Sequence, residues 1–220
     1  GTTDITAASW RNGSTTTKTI SSAGWGTNSG KTITNVSWRN GNAFSITQIT
    51  KTNSNTRIRV RTSSNHGYSN GDTVYITGAN GSYTSLNGNR YKVANRTTSS
   101  PYYFTLQNIG KSTYTTPPSG STNATSGTSQ RCYTTTCEVA VTAASHGFST
   151  GDFVFIEDVD TTGAGASPNK SWGNTYTITN LNSNVFILPG TNMNSFAAYD
   201  DNGTASACYV ADCRYRVPTT

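Results

Sequence analysis

Asn65-His66-Gly67-Tyr68-Ser69-Asn70-Gly71-Asp72-Thr73-Val74-Tyr75-Ile76 recurs 80 residues later as Ser145-His146-Gly147-Phe148-Ser149-Thr150-Gly151-Asp152-Phe153-Val154-Phe155-Ile156, without a gap. In each copy a His-Gly pair and a Gly-Asp pair bracket a turn. The pairs are His66, Gly67, Gly71 and Asp72 in the first copy, and His146, Gly147, Gly151 and Asp152 in the second. Glycine reaches positive φ without steric cost, and aspartate bonds its own neighbouring backbone, so all eight positions read as turn-structural. The alternating run that follows places Val74/Ile76 and Val154/Ile156 on one face of a strand.

The match extends in both directions. Arg57-Ile58-Arg59-Val60 pairs with Glu138-Val139-Ala140-Val141 upstream. Downstream, Asn87-Gly88-Asn89-Arg90-Tyr91-Lys92-Val93 matches Trp172-Gly173-Asn174-Thr175-Tyr176-Thr177-Ile178 after a short insertion, and Tyr103-Phe104-Thr105-Leu106 matches Val185-Phe186-Ile187-Leu188. Asn87-Gly88 is a hairpin signal. The reading is two tandem β modules, at 51–112 and 132–207, each a small barrel or sandwich of SH3-like or OB-like size. Val74, Ile76, Tyr91 and Phe104 are expected in one core, with Val154, Ile156, Tyr176 and Phe186 in the other. A smaller repeat relates Ile5 to Gly13 with Ile33 to Gly41, so residues 1–50 are read as β-hairpins packing on module one, with Trp10 and Trp38 as equivalent packing residues. Residues 113–131, rich in Thr, Ser, Gly and Pro, read as a linker. Residues 208–220 read as the start of a third repeat or a capping strand.

Composition agrees with an all-β chain. Thr, Ser and Asn make up 91 of the 220 residues, while Leu (4), Met (1) and Glu (2) are scarce, so strong helix formers are nearly absent. No stretch approaches 18 apolar residues, so membrane insertion is not expected. The start, Gly1-Thr2-Thr3-Asp4, has no signal-like character, so a secretory signal would be removed or lie upstream. Charge is divided: residues 1–131 hold 13 Lys/Arg and 2 Asp/Glu, whereas 132–220 hold 3 and 8.

Cys132-Tyr133-x-x-x-Cys137 and Cys208-Tyr209-x-x-x-Cys213 have identical spacing. Each pair can close a short hairpin as a local disulfide. Four thiolates could instead hold one zinc ion, but no other sequence feature supports a metal, and an oxidising, extracellular context fits the composition better.

Arg57, Arg59 and Arg61 alternate along one strand and project from the same side; Arg90 and Lys92 share a phase and extend the stripe if their strand lies nearby. Such a row invites a polyanion, either DNA or an acidic glycan, unless it is a solvated edge. The acidic residues near Asp152 offer a weak Ca²⁺ candidate in Asp158 and Asp160, with spacing that fits no calcium loop. No paired carboxylates, nucleophile elbow, phosphate loop or histidine cluster is present, so no catalytic residues and no cofactor are expected.

The string His-Gly-aromatic-Ser-x-Gly-Asp-x-Val-x-Ile, followed by Asn-Gly-x-x-Tyr-x-Val and Phe-Thr-Leu, resembles β modules found in phage tail and tail-fibre proteins and in type IV pilus tip adhesins of the PilC/PilY type. The resemblance covers 57–106 and 138–188, about half the chain. It implies a non-catalytic extracellular or cell-surface attachment segment, whose partners are other appendage subunits, a surface receptor or polysaccharide. The alternative it implies is a structural phage tail module. The cysteine pairs tilt the reading toward the adhesin.

Overall fold

The computed structural model describes residues 30–52, 56–111, 113–119, 122–163, 165–171, 173–192, 195–208 and 211–213. The first copy of the small repeat with Trp10, and the strand expected after Cys213, lie outside the described residues. The strands are β1 (Lys31–Thr32), β2 (Asn35–Ser37), β3 (Arg39–Thr52), β4 (Arg57–Thr62), β5 (Thr73–Thr77) and β6 (Asn89–Ala94). They continue with β7 (Tyr103–Gln107), β8 (Thr128–Cys132), β9 (Val139–Thr142), β10 (Phe153–Glu157) and β11 (Thr161–Thr162). The last are β12 (Tyr176–Thr177), β13 (Thr179–Asn182), β14 (Val185–Leu188), β15 (Ala198–Tyr199) and β16 (Thr204–Cys208). A 3-10 turn over Gly81–Leu86 is the one helical element among the described residues, and no helix there is long and apolar enough to cross a membrane. The chain is all-β.

It divides into two compact units. One, formed by 37–140 with 190–195, contains a closed barrel in the order β3-β4-β7-β6-β5-β8. Alternation explains its wall: in β4, Ile58 and Val60 are fully buried while the intervening arginines face outward. Val74, Ile76, Tyr91 and Phe104 all enter this core, as expected, and Tyr83 and Leu86 of the 3-10 turn join them.

The second unit holds the described residues of 141–189 and 196–213 together with 30–36. Its strands form two four-stranded sheets, β1-β16-β10-β12 and β13-β14-β9-β2, plus the pair β11-β15. Read through the breaks at Ile33–Thr34 and Ile178, the neighbour order matches the barrel's, with β1/β2 in the place of β3 and β16 in that of β8. Val154, Ile156 and Phe186 are buried. Tyr176 is only half-buried, with Lys170 lying over its ring 4.1 Å from the centroid, and it is Ile178 that is the fully buried residue of that segment.

Several boundaries differ from the sequence reading. Strand β3 starts at Arg39, so most of a barrel strand comes from the region read as N-terminal hairpins. Residues 113–131 are not a free linker: they supply β8, which closes the barrel between β3 and β5. Small residues make this possible. Ala124 and Ser129 are fully buried, and a Cβ on Gly127 (φ +134°) would sit 3.0 Å from the Thr77 carbonyl oxygen. Asn87-Gly88 does not form a two-residue hairpin. The Asn87 amide clamps Ala79 instead, accepting from its N–H at 2.7 Å and donating to its carbonyl at 2.8 Å. Asn169 clamps Val159 in the same way at 2.9 and 3.0 Å, so Asn169 is the counterpart of Asn87, and the extra residues of the second copy fall partly before it and partly after it.

One buried pair is exchanged as a unit between the repeats. In the barrel, Tyr68 Oη and Ser129 Oγ share a hydrogen bond of 3.1 Å, with Ser129 in register with Ile76. Burial, offset in part by that bond, pushes the Tyr68 phenol up to about 12. In the second unit the same places hold Phe148 and Ala205, with Ala205 in register with Ile156. Both hydroxyls are absent together.

An orphaned buried hydroxyl costs about 1–3 kcal/mol, whereas removing both partners is nearly neutral. In urea denaturation, Ser129→Ala is therefore expected to destabilise the chain by that amount, and adding Tyr68→Phe is expected to recover most of it. Equal or additive losses would contradict the pairing.

Candidate functional site

The cysteines form two bridges, Cys132–Cys137 and Cys208–Cys213, and none of the four is free. The first does not close a hairpin, since β8 and β9 lie in different sheets; it staples the turn between them. Cys137 and Cys213 both have left-handed backbones (φ 53° and 49°), an unfavourable conformation for a side-chain-bearing residue that the bridges hold in place.

Both histidines are buried inside their turns. His66 Nδ1 accepts the Tyr68 N–H at 3.0 Å, and His146 Nδ1 accepts the Phe148 N–H at 2.9 Å. Each imidazole also packs on the aromatic residue two positions on and edge-on against a strand phenylalanine, Phe104 or Phe186. Asp72 and Asp152 accept the Ser69 and Ser149 N–H groups, while Gly67, Gly147, Gly71 and Gly151 take positive φ. These side chains are turn structure. The rings differ at Nε2: His146 reaches the Asn182 carbonyl at 2.8 Å, but His66 Nε2 has no partner among the described residues. Burial lowers the His66 pKa; the Tyr103 backbone acts in the other direction, although no bond of acceptable geometry reaches the ring.

Asp158 and Asp160 line an open groove of the second unit with Thr32, Asn202, Gly203 and Thr204. One Asp160 oxygen accepts from the Asn202 amide at 2.9 Å. No three His, Cys, Asp or Glu side chains converge as metal ligands among the described residues.

The basic face is the remaining constellation. Arg57, Arg59 and Arg61 lie on β4, flanked in register by Thr52, Thr50 and Gln48 of β3. On the other side β7 places Thr105 opposite Arg59 and Tyr103 opposite Arg61, and β6 follows with Lys92 in register with Gln107. Lys92 therefore lies across one intervening strand from the row, and Arg90, in register with Tyr75 of β5, stands two residues further along β6, beyond its pairing with β7. Two tyrosines that sequence reasoning did not single out complete the stripe. Arg57 Cζ lies 3.9 Å from the Tyr114 ring centroid, and Arg59 Cζ lies 5.1 Å from that of Tyr103. The barrel unit has ten Lys/Arg and two carboxylates. Asp72 pairs with Arg131 at 3.3 Å and Glu138 accepts the Gly190 N–H, so neither neutralises the stripe.

No protein-family model, curated protein or solved structure matches the chain.

A histidine whose folded pKa lies below its unfolded value of 6.5 binds fewer protons when folded, so stability is fully present above pH 6.5 and falls as pH drops through the folded pKa. His66→Asn keeps an acceptor for the Tyr68 N–H but does not titrate. The expected result is a wild-type-minus-variant stability difference that is flat above pH 6.5 and moves against wild type below it. Parallel curves from pH 7.5 to 5 would refute the assignment.

Proposed function

We propose that the chain is a non-catalytic attachment segment of an extracellular appendage, of the kind found in pilus tip adhesins, and that its barrel holds an anionic polymer on the β4-β7-β6 face. The observation that carries this reading is the unneutralised row of Arg57, Arg59 and Arg61, with Lys92 and Arg90 on β6 beyond it. Like charges held on alternate residues repel one another unless anions or solvent screen them, and such a face raises the local concentration of a polyanionic partner. Two disulfides support an oxidising location outside the cytoplasm. A second reading, a phage tail or tail-fibre module that assembles with copies of itself, is favoured by the opposite charge of the two halves of the sequence.

Retention on a heparin column separates the two. Attachment predicts salt-sensitive retention, weakened in Arg57→Ser/Arg59→Ser/Arg61→Ser with the near-ultraviolet circular dichroism unchanged. On a nucleic-acid scale, losing three such contacts lowers the log–log salt slope by roughly two to three. Equal retention of wild type and triple variant would reject the reading, and concentration-dependent self-association abolished by the same changes would favour the tail module.

A further inference from the structure

We infer that the polymer held on this face is an acidic polysaccharide, gripped through its carboxylate or sulfate groups by the edges of stacked guanidiniums, rather than a nucleic acid. The inference rests on the attachment reading above and specifies its ligand.

The arginines are presented in a particular way. Arg57 is stacked on Tyr114, and Tyr114 is itself fixed: the Asn95 amide donates to its hydroxyl at 2.8 Å, and its backbone bridges to Gln107. Arg59 rests over Tyr103, whose backbone N–H donates to Thr97 Oγ1 at 2.9 Å. A guanidinium lying over a ring keeps its in-plane N–H donors available, in a fork that matches a carboxylate or sulfate in bidentate fashion. None of the three arginines spends those donors on another described residue. The stacking of Arg57 and Arg59 also removes much of the freedom that binding would otherwise freeze.

The surroundings discriminate between polymers. Gln48, Thr50 and Thr52 run beside the arginines on β3, each partly exposed, so amide and hydroxyl groups border the cations. A chain of hydroxyl-bearing rings with regularly placed anions meets both sets of groups. Single-stranded nucleic acid is held largely by bases stacking on free aromatic faces, and here a guanidinium already covers one face of each tyrosine. Base-specific reading of a duplex needs an element that enters a groove, whereas this surface is the outer wall of a barrel. Along β4 the backbone positions that carry the arginines stand about 6.8 Å apart, and the Lys92 position lies two strands away, about 9.5 Å across the sheet, so the basic residues are arrayed in two directions rather than in a single line.

Tyr114 and Tyr103 are positioning residues in this account. The test uses the full chain, with polygalacturonate, heparin, oligo-dT of matched charge and neutral dextran as probes in titration calorimetry at physiological salt. The acidic polysaccharides are expected to bind about tenfold more tightly than oligo-dT, with no binding of dextran. Arg57→Lys/Arg59→Lys keeps the charge and loses the fork and the stack, so it should weaken polysaccharide binding about tenfold and leave any oligo-dT binding nearly unchanged. Tyr114→Leu should act in the same direction, with Tyr114→Phe, which keeps the ring, restoring most of the affinity. Oligo-dT binding as tight as the polysaccharides, or full affinity in the double lysine variant, overturns this inference and leaves the attachment reading standing. Binding of no polyanion at all overturns both.

Discussion

One short-range bond organises each repeat: an imidazole Nδ1 accepting the amide two residues ahead, at 3.0 Å for His66 and 2.9 Å for His146. It folds the chain back on itself before the strand begins, so the following aromatic residue turns inward beneath the ring. That aromatic then meets the phenylalanine of the strand matching β7 or β14, and the three rings form one cluster: His66, Tyr68 and Phe104, or His146, Phe148 and Phe186. Asp72 and Asp152 close the other end of the turn, and their carbonyls accept from Val93 and Ile178. A local turn and a long-range sheet contact are thereby joined at one point, from which strand direction and register follow.

Much of this was legible because it is written twice. Turn glycines, alternating strands and the paired cysteines are local patterns, and repetition at a fixed offset separates them from chance. What escaped the sequence was decided by packing across the sheet. Residues 113–131 have the composition of a linker, yet the same small side chains suit a strand squeezed against Thr77 and Ala79. Asn87 looked like hairpin chemistry, and its clamp on a residue eight positions earlier became visible only through Asn169. The basic stripe was readable from alternation along β4. Its tyrosines were not, since Tyr103 and Tyr114 reach the arginines from β7 and from the supposed linker.

The stripe also differs in kind from the acidic groove of the second unit. In the groove, an Asp160 oxygen is occupied by the Asn202 amide, and the adjoining turn takes left-handed backbone at Asn202. Its charges help hold a loop. On β4 the Arg57 and Arg59 guanidiniums lean on rings, an arrangement that orients them without using their hydrogen-bond donors.

Repeats that share a strand order run a risk that unrelated folds do not: a closing strand from one can be taken up by the other. The pair Tyr68 and Ser129, replaced by Phe148 and Ala205, bears on that hazard. Were β16 to insert beside β5, alanine would face the tyrosine and strand its hydroxyl in a dry core. Were β8 to insert beside β10, a serine would be buried against phenylalanine with nothing to bond. Each mismatch costs about 1–3 kcal/mol, enough to favour the correct partner by a factor of five or more. A single oxygen pair thus gives each of two similarly ordered strand sites a preference for its own closing strand.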